Sequence, residues 1–442
     1  MTNSIDLIIQ NADILLPDGN LFLGDVLIKQ GKIAQIASAI DSNNDVNTII
    51  DATGLTLLPG VIDPQVHFRE PGLEHKEDLF SASCACARGG VTSFLEMPNT
   101  KPLTSNQQAL DDKLSRAAAK SLVNYGFFIG ATGENLDQLN SAEPVCGIKI
   151  FMGSMHGPLL VSQQEKLEEI FANGTRLIAV HAEDQQRIEQ RKKQYLVSSS
   201  GDVALHSIIQ DEIAALNATK LAIQLSTKYQ RRLHILHMST GIEAQYLREH
   251  KQPWITAEVT PQHLLLSTDS YKTLGTLAQM NPPLRSSENQ PVLWQALLDG
   301  VIDMIATDHA PHTLEEKAQI YPKSPSGMPG VETSLALMLT QASLGLCTID
   351  QVAHWMSTNI AKAYSLKNKG LIAPEYDADL VLVDLKNHHL VLKEELKTKC
   401  GWSPFEGWNL TGWPIYTIVG GNLVYERGKL NEQFRGRPLS FG

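Results

Sequence analysis

The sequence predicts an α/β protein: a (β/α)8 TIM-type barrel with a small discontinuous β domain built from the two ends of the chain. Eight strand-like runs lie near residues 58–66, 91–97, 123–129, 147–152, 176–182, 232–238, 254–259 and 302–307. Helical stretches separate most of them, notably 106–120, 163–172, 203–226, 241–250 and 290–300. Such alternation marks βα units around a parallel sheet, and eight of them in about 300 residues fit a closed barrel. The flanks lack this alternation and read as short strands with turns. Several central runs also end in side chains that bind metals and move protons, at the strand ends where barrel proteins build their sites.

The first part of the β domain is expected over 1–57, with short strands at 7–9, 13–16, 25–29 and 32–36. Gln30-Gly31 between the last two is a hairpin signal. The barrel follows over 58–365. The remainder, 366–442, returns to the flanking pattern: 379–384 is an apolar strand, and 417–419 with 423–426 flank a Gly-Gly-Asn turn suited to a tight hairpin. Gly, Ser and Pro content marks 153–160 and 313–331 as loops. Their positions after the fourth and eighth strands place both at the barrel mouth.

At 442 residues the chain suits a large barrel plus a smaller module, and a hydrophobic content of 43% supplies a sizeable core. With 37 basic and 48 acidic residues the formal charge is −11, and there is no basic tract. That balance argues against nucleic acid or an anionic membrane as the main partner. The absence of a signal-peptide pattern or a membrane-length apolar run leads to the expectation of a cytoplasmic protein. Five cysteines (Cys84, Cys86, Cys146, Cys347, Cys400) are too few and too scattered for a disulfide framework. Cys84 and Cys86 are either a zinc pair or, as the small residues around them favour, one helix face.

The chemistry concentrates at strand ends. Residues 302–313 form an apolar run that stops at Asp308, His309 and His312. Gln65, His67 and Arg69 alternate along an extended segment, so all three are expected on one face. Lys149 is flanked by Ile148 and Ile150. It is either a snorkelling surface lysine or an inward one, whose bare ammonium would carry a large desolvation cost. Reaction with carbon dioxide would convert an inward lysine to an anionic carbamate able to bridge two cations. His181 and His237 offer imidazoles at adjacent strand ends, whereas His234, three residues before His237, is expected on the opposite face in a structural role. Nitrogen and oxygen ligands without thiolate favour zinc, and zinc would supply a nucleophilic water at neutral pH. Together these residues point to a metal-dependent hydrolase acting on a small amide-like bond.

Four segments carry a family resemblance: Asp-Pro-Gln-Val-His-Phe-Arg-Glu-Pro-Gly (63–72), Glu-Met-Pro-Asn-Thr-Lys-Pro (96–102), Asn-Pro-Pro-Leu-Arg (281–285) and Thr-Asp-His-Ala-Pro-His (307–312). Glu258-Val-Thr-Pro261 and Trp402-Ser-Pro-Phe405 add to it. Over nearly its whole length the chain resembles the dihydroorotases of the amidohydrolase superfamily. The resemblance implies reversible cyclisation of N-carbamoyl-aspartate to dihydroorotate in pyrimidine synthesis. It implies one or two zinc ions, with His67 on the more buried metal, a carbamylated Lys149 as bridge, and His181 and His237 on the second metal. Asp308 would be both ligand and general acid/base. Arg69 and Asn99 would hold the substrate carboxylate, with Asn281 and His312 completing the pocket.

One departure matters. Where the family carries the first histidine of His-x-His, this chain has Gln65, a weak neutral ligand. Gln262 and Glu375 replace a usual histidine and a usual glycine outside the expected ligand set. Two other readings stay open: an allantoinase or hydantoinase, and a non-catalytic homologue serving aspartate transcarbamoylase as a structural partner. The expected partners are therefore a small-molecule substrate, further copies of the chain in a homo-oligomer, and aspartate transcarbamoylase.

Overall fold

Residues 5–41, 46–196 and 201–442 are described in a computed structural model of the chain. Their centre is a ring of eight parallel strands in chain order: Val61–Val66, Val91–Glu96, the Asn124–Phe127 and Ile129–Gly130 pair, Ile148–Phe151, Ile178–His181, Leu233–Ile235, Ile255–Val259 and Met304–Ile305. The third strand bends at Phe128, so its first half pairs with Val91–Glu96 and its second with Ile148–Phe151. The ring closes where Val66 bridges His309 in parallel and the His67 amide donates to the His309 carbonyl at 2.8 Å. Eight consecutive βα units reach closure because the right-handed strand twist rotates each strand against the last.

Ile62, Leu95, Phe128, Ala179, Leu236 and Met304 come from strands all around the ring and share one apolar cluster with Ile360, Ala361 and Tyr364. Side chains from opposite strands can meet only inside the ring, so this cluster fills it and leaves the polar strand ends above it. A larger cluster joins the outer strand faces to the helices. The helices obey local rules: Leu79–Arg88 begins at Asp78, and Gly241–His250 begins with a Thr240/Glu243 capping box. Cys84 and Cys86 are buried in the first of these, within the small-residue face. The single helix expected over 203–226 is two, Leu205–Ile209 and Glu212–Tyr229. Asp211 stops the first by capping the second, its side chain accepting from the Ala214 amide.

Both chain ends meet in a nine-stranded sheet. Leu380–Leu390 pairs antiparallel with Thr56–Pro59, which itself runs parallel to Ile5–Leu15. Thr56–Pro59 leads through Gly60 into the first barrel strand. A Cβ at Gly60 would lie 2.4 Å from Thr92, so only glycine allows that approach. The two strands expected at 7–9 and 13–16 are one, kinked by a bulge between Ile9 and Ala12 where Asn11 turns left-handed. Val46–Asp51 adds a strand that the pattern did not signal. The Gln30-Gly31 hairpin forms as expected, both residues at positive φ, and the Gly420-Gly421 turn does the same. Glu375, standing where a glycine is usual, has φ 70, the left-handed conformation that glycine adopts without cost. Among the described residues no helix is long and apolar enough to cross a membrane.

Candidate active site

At the C-terminal ends of the ring strands lies a cavity of about 190 Å³. Its wall includes Gln65, His67, Arg69, Asn99, Lys149, His181, His237, Asn281, Asp308 and His312, all ten residues singled out in the sequence. The route by which some arrive differs from the expectation. Simple alternation was expected to carry Gln65, His67 and Arg69 to one face. The strand ends at Val66, and Arg69 reaches the cavity through a left-handed backbone, φ 68. His237 (φ 35) and Asp308 (φ 47) are left-handed as well, both beyond the regular part of their strands, Leu233–Ile235 and Met304–Ile305. Non-glycine residues held there signal strain that the surrounding packing must impose, a feature concentrated at functional sites.

Lys149 is fully buried, which excludes the snorkelling surface reading. Its Nζ has no hydrogen-bond partner and lies 4.4 Å from the centre of the Phe151 ring. Burial brings its pKa down from 10.5 to about 7, so a neutral, nucleophilic amine is accessible near neutrality. His67 and Asp308 form one pair, Nε2 to Oδ1 at 3.1 Å, and Asp308 Oδ1 also accepts from Gln65 Nε2 at 3.0 Å. His67 Nδ1 lies 2.7 Å from Asn99 Oδ1. If that nitrogen carries the ring proton, Nε2 presents a lone pair to the Asp308 carboxylate, and a cation or a proton must lie between them. His181 and His237 form the second pair, Nδ1 to Nε2 at 2.9 Å. Burial holds both His67 and His237 below the ordinary histidine range, as ligands require.

The donor set suits divalent cations, with one condition. Among the described residues no three His, Cys, Asp or Glu side chains converge on one point. Each pair is therefore short of ligands, and Lys149 in the same cavity is the side chain able to serve both, provided it carries a carboxylate. The unpartnered, buried Nζ of Lys149, Oε1 of Gln65 and Nδ1 of His237 are what a site awaiting such a group leaves unsatisfied. Gln65 turns its amide hydrogen toward Asp308 and its oxygen away. Gln262 donates to the Thr307 carbonyl at 3.0 Å, outside the cavity wall.

His234 does not line the cavity. It bonds Thr256 and Glu258 at 2.8 Å each and packs edge-on to Tyr364. The structural role stands, but the expected opposite-face argument does not. His234 packs against the same Glu258 whose Oε1 receives the His237 amide. The left-handed turn at His237 breaks the alternation on which that argument rested.

Sequence reasoning missed several supporting groups. Glu183, fully buried, accepts from His181 Nε2 at 2.8 Å and from the Ser154 hydroxyl, which leaves the His181 lone pair on Nδ1, the nitrogen that faces His237. Asp63 accepts from the Thr307 hydroxyl at 2.6 Å and from the Gln65 and Thr307 amides, joining the first and last strands beside Gln65 and Asp308. Burial pushes the Asp63 pKa up to about 7. The period-two series Asp63, Gln65, His67 was visible in the sequence and could have indicated it. Nothing local pointed to Glu183 except its place two residues beyond His181.

A closed barrel whose strand ends bring together imidazoles, a buried lysine and an aspartate defines a class, and the family comparison agrees. The amidohydrolase family matches residues 56–424, and the chain belongs to that family. Within it, the chain's place is among the dihydroorotases. The dihydroorotase of Methanosarcina acetivorans is 37% identical over 96% of this chain and 93% of its own length. That of Halobacterium salinarum is 36% identical over 97% of this chain and 98% of its own. Among solved structures, the L-hydantoinase (dihydropyrimidinase) of Arthrobacter aurescens superposes with a TM-score of 0.94 at 29% identity, covering 99% of this chain and all of that one. A dihydropyrimidinase from Brevibacillus agri gives 0.91 at 26% identity, covering 98% of each chain.

Proposed function

We propose that the chain is a metal-dependent dihydroorotase, interconverting dihydroorotate and N-carbamoyl-aspartate. The observation that carries this reading is Arg69, 3.2 Å from His312, in the same cavity wall as Asn99 and the two histidine-bearing pairs. A guanidinium offers the planar fork that a substrate carboxylate requires, and a hydantoin without a carboxylate gives it nothing to hold. In the hydrolytic direction, water adds to the ring amide carbonyl carbon, the C–N bond breaks, and a proton passes to the leaving nitrogen. In this reading Asp308 takes the water's proton and returns it to that nitrogen. Arg69, Asn99, Asn281 and His312 orient the ring. His67, His181, His237, Asp308 and a carbamylated Lys149 would hold one or two zinc ions. Those ions would supply a Lewis acid for the carbonyl and a water of lowered pKa. The same reading keeps 1–57 and 366–442 together as the small β domain, and the cytoplasm as the compartment. Dihydroorotate hydrolysis by purified protein, with metal analysis of the same sample, tests it. Turnover of hydantoin or dihydrouracil with none of dihydroorotate would replace it with the hydantoinase reading.

Two outcomes follow for single residues. Arg69→Lys keeps the charge but loses the fork, so KM for dihydroorotate should rise about ten- to hundredfold, given that a charge-assisted hydrogen bond contributes roughly 1.5–3 kcal/mol. Dihydrouracil, lacking the carboxylate, should lose far less, and equal losses would remove Arg69 from carboxylate reading. Gln65 predicts unequal metal sites. After dialysis against metal-free buffer, wild-type protein should retain fewer than two ions per chain, and Gln65→His should bring the second to full occupancy and raise turnover at low zinc. Two ions retained by the wild type would show that Gln65 or a neighbour ligates adequately.

A further inference from the structure

His312 sits among three cations, two of which the proposed reaction does not use. Arg69 Nη2 lies 3.2 Å from its Nε2, and Lys76 Nζ lies 3.0 Å from its Nδ1. Lys317, also nearby, is a buried ammonium bonded to the carbonyls of Gln279, Pro325 and Gly327. Burial and these three charges hold the His312 ring far below the ordinary histidine range, so it is neutral and carries one proton. Which nitrogen carries it follows from the neighbours. An ammonium has hydrogens and no acceptor, so the Nδ1 facing Lys76 must be the lone pair. The proton is then on Nε2, 3.0 Å from the Ser326 carbonyl that accepts it. Arg69 Nη2 consequently meets an N–H rather than a lone pair. With the Nε2–H taken by Ser326, Arg69 Nη2 finds no acceptor on His312 and is left for another one.

The alternative tautomer has its own partner in place. Glu316 Oε2 lies 3.5 Å from His312 Nδ1, and Glu316 Oε1 holds Lys76 Nζ at 3.1 Å. With Lys76 removed, Glu316 becomes the nearest acceptor for an Nδ1 proton. Nε2 would then accept from Arg69 and occupy the nitrogen with which Arg69 would otherwise hold an anion.

We propose that Lys76 is a positioning residue that fixes His312 as the Nε2–H tautomer, so that Arg69 Nη2 is not spent on His312 and is free to hold a carboxylate on the substrate. The carboxylate part rests on the dihydroorotase reading above; the tautomer part does not. Lys76 is outside the cavity wall, its side chain 13% exposed and held between His312 and Glu316, so it acts through the imidazole and not on the substrate.

The full-length, zinc-loaded protein labelled with 15N-histidine tests the proposal by side-chain NMR, with His312→Gln assigning the signal. Wild type should show the Nε2–H tautomer at His312, Lys76→Met should shift it to Nδ1–H, and Lys76→Arg should keep Nε2–H. In kinetics, Lys76→Met should raise KM for dihydroorotate by about tenfold or more, the scale of one charge-assisted hydrogen bond, with a far smaller change in kcat. Lys76→Arg should restore most of that loss, and dihydrouracil should register little change in either variant. An Nδ1–H tautomer in the wild type, an unmoved tautomer in Lys76→Met, or equal losses on both substrates would overturn the proposal. If the tautomer shifts as stated but the wild type has no activity on dihydroorotate, the activity assigned above falls and the tautomer assignment stands.

Discussion

Replacing Asp308 with Asn is expected to lower kcat on dihydroorotate by about 10²–10⁴-fold, the usual span for losing a general acid/base, with the fold retained. Asn suits this test for a local reason. Asp308 has φ 47, a conformation that Asn tolerates better than other side chains of its size. The amide oxygen can still accept from Gln65, so the bond between the first and last strands survives. What disappears is the ability to take a proton from water and deliver it to the leaving nitrogen. Circular dichroism and the melting temperature should stay close to wild type while steady-state turnover falls. A metal-loaded Asp308→Asn protein turning over near the wild-type rate would remove Asp308 from the chemistry.

The second large effect is expected at Lys149. Lys149→Met should empty both metal sites, since each histidine pair loses the shared ligand, and should abolish measurable turnover. It should not destabilise the apo protein. With its pKa brought down to about 7 by burial, the amine binds its proton more readily in the unfolded chain. It therefore opposes folding, fully below about pH 7 and not at all above the ordinary lysine value. Methionine fills a similar volume without that cost, so the metal-free melting temperature should hold or rise, most clearly at acid pH. Metal analysis reads the first effect and calorimetry of apo protein the second. Retention of two ions by Lys149→Met would exclude the carbamate bridge. A second check is that apo wild type should take up metal faster when bicarbonate is present.

Much of the site was legible because barrel chemistry collects at strand ends, and apolar runs ending in His, Lys or Asp can be read from the chain directly. His67, Lys149 and His181 are of this kind: His181 is the last residue of its strand and Lys149 lies within its own. Arg69, His237 and Asp308 were also named, but their orientation was not legible. All three lie past the regular strand in left-handed backbone, where period two no longer predicts direction. The break between Leu205–Ile209 and Glu212–Tyr229 was missed for a related reason. The apolar periodicity runs through it, and the decision falls to one capping carboxylate at Asp211. Asp63 and Lys76 were not picked out because their partners Thr307 and His312 lie more than 200 residues away, and Glu183 because its spacing from His181 alone does not reveal the contact.

The sequence by itself determined the class of fold and the inventory of the site. Eight apolar runs at βα spacing admit few arrangements other than a closed ring, and the titratable residues at their ends then share one mouth wherever they sit along the chain. It also holds Gln65, the residue on which the expectation of unequal metal sites rests. Protonation states and partners were decided only in three dimensions. Whether Lys149 is a surface ammonium or a buried amine depends on desolvation by neighbours from several strands. Which nitrogen of His312 carries its proton depends on Lys76, which lies 236 residues away in the chain and 3.0 Å away in space. Such properties are energies of juxtaposition, and no stretch of sequence holds both members of the pair.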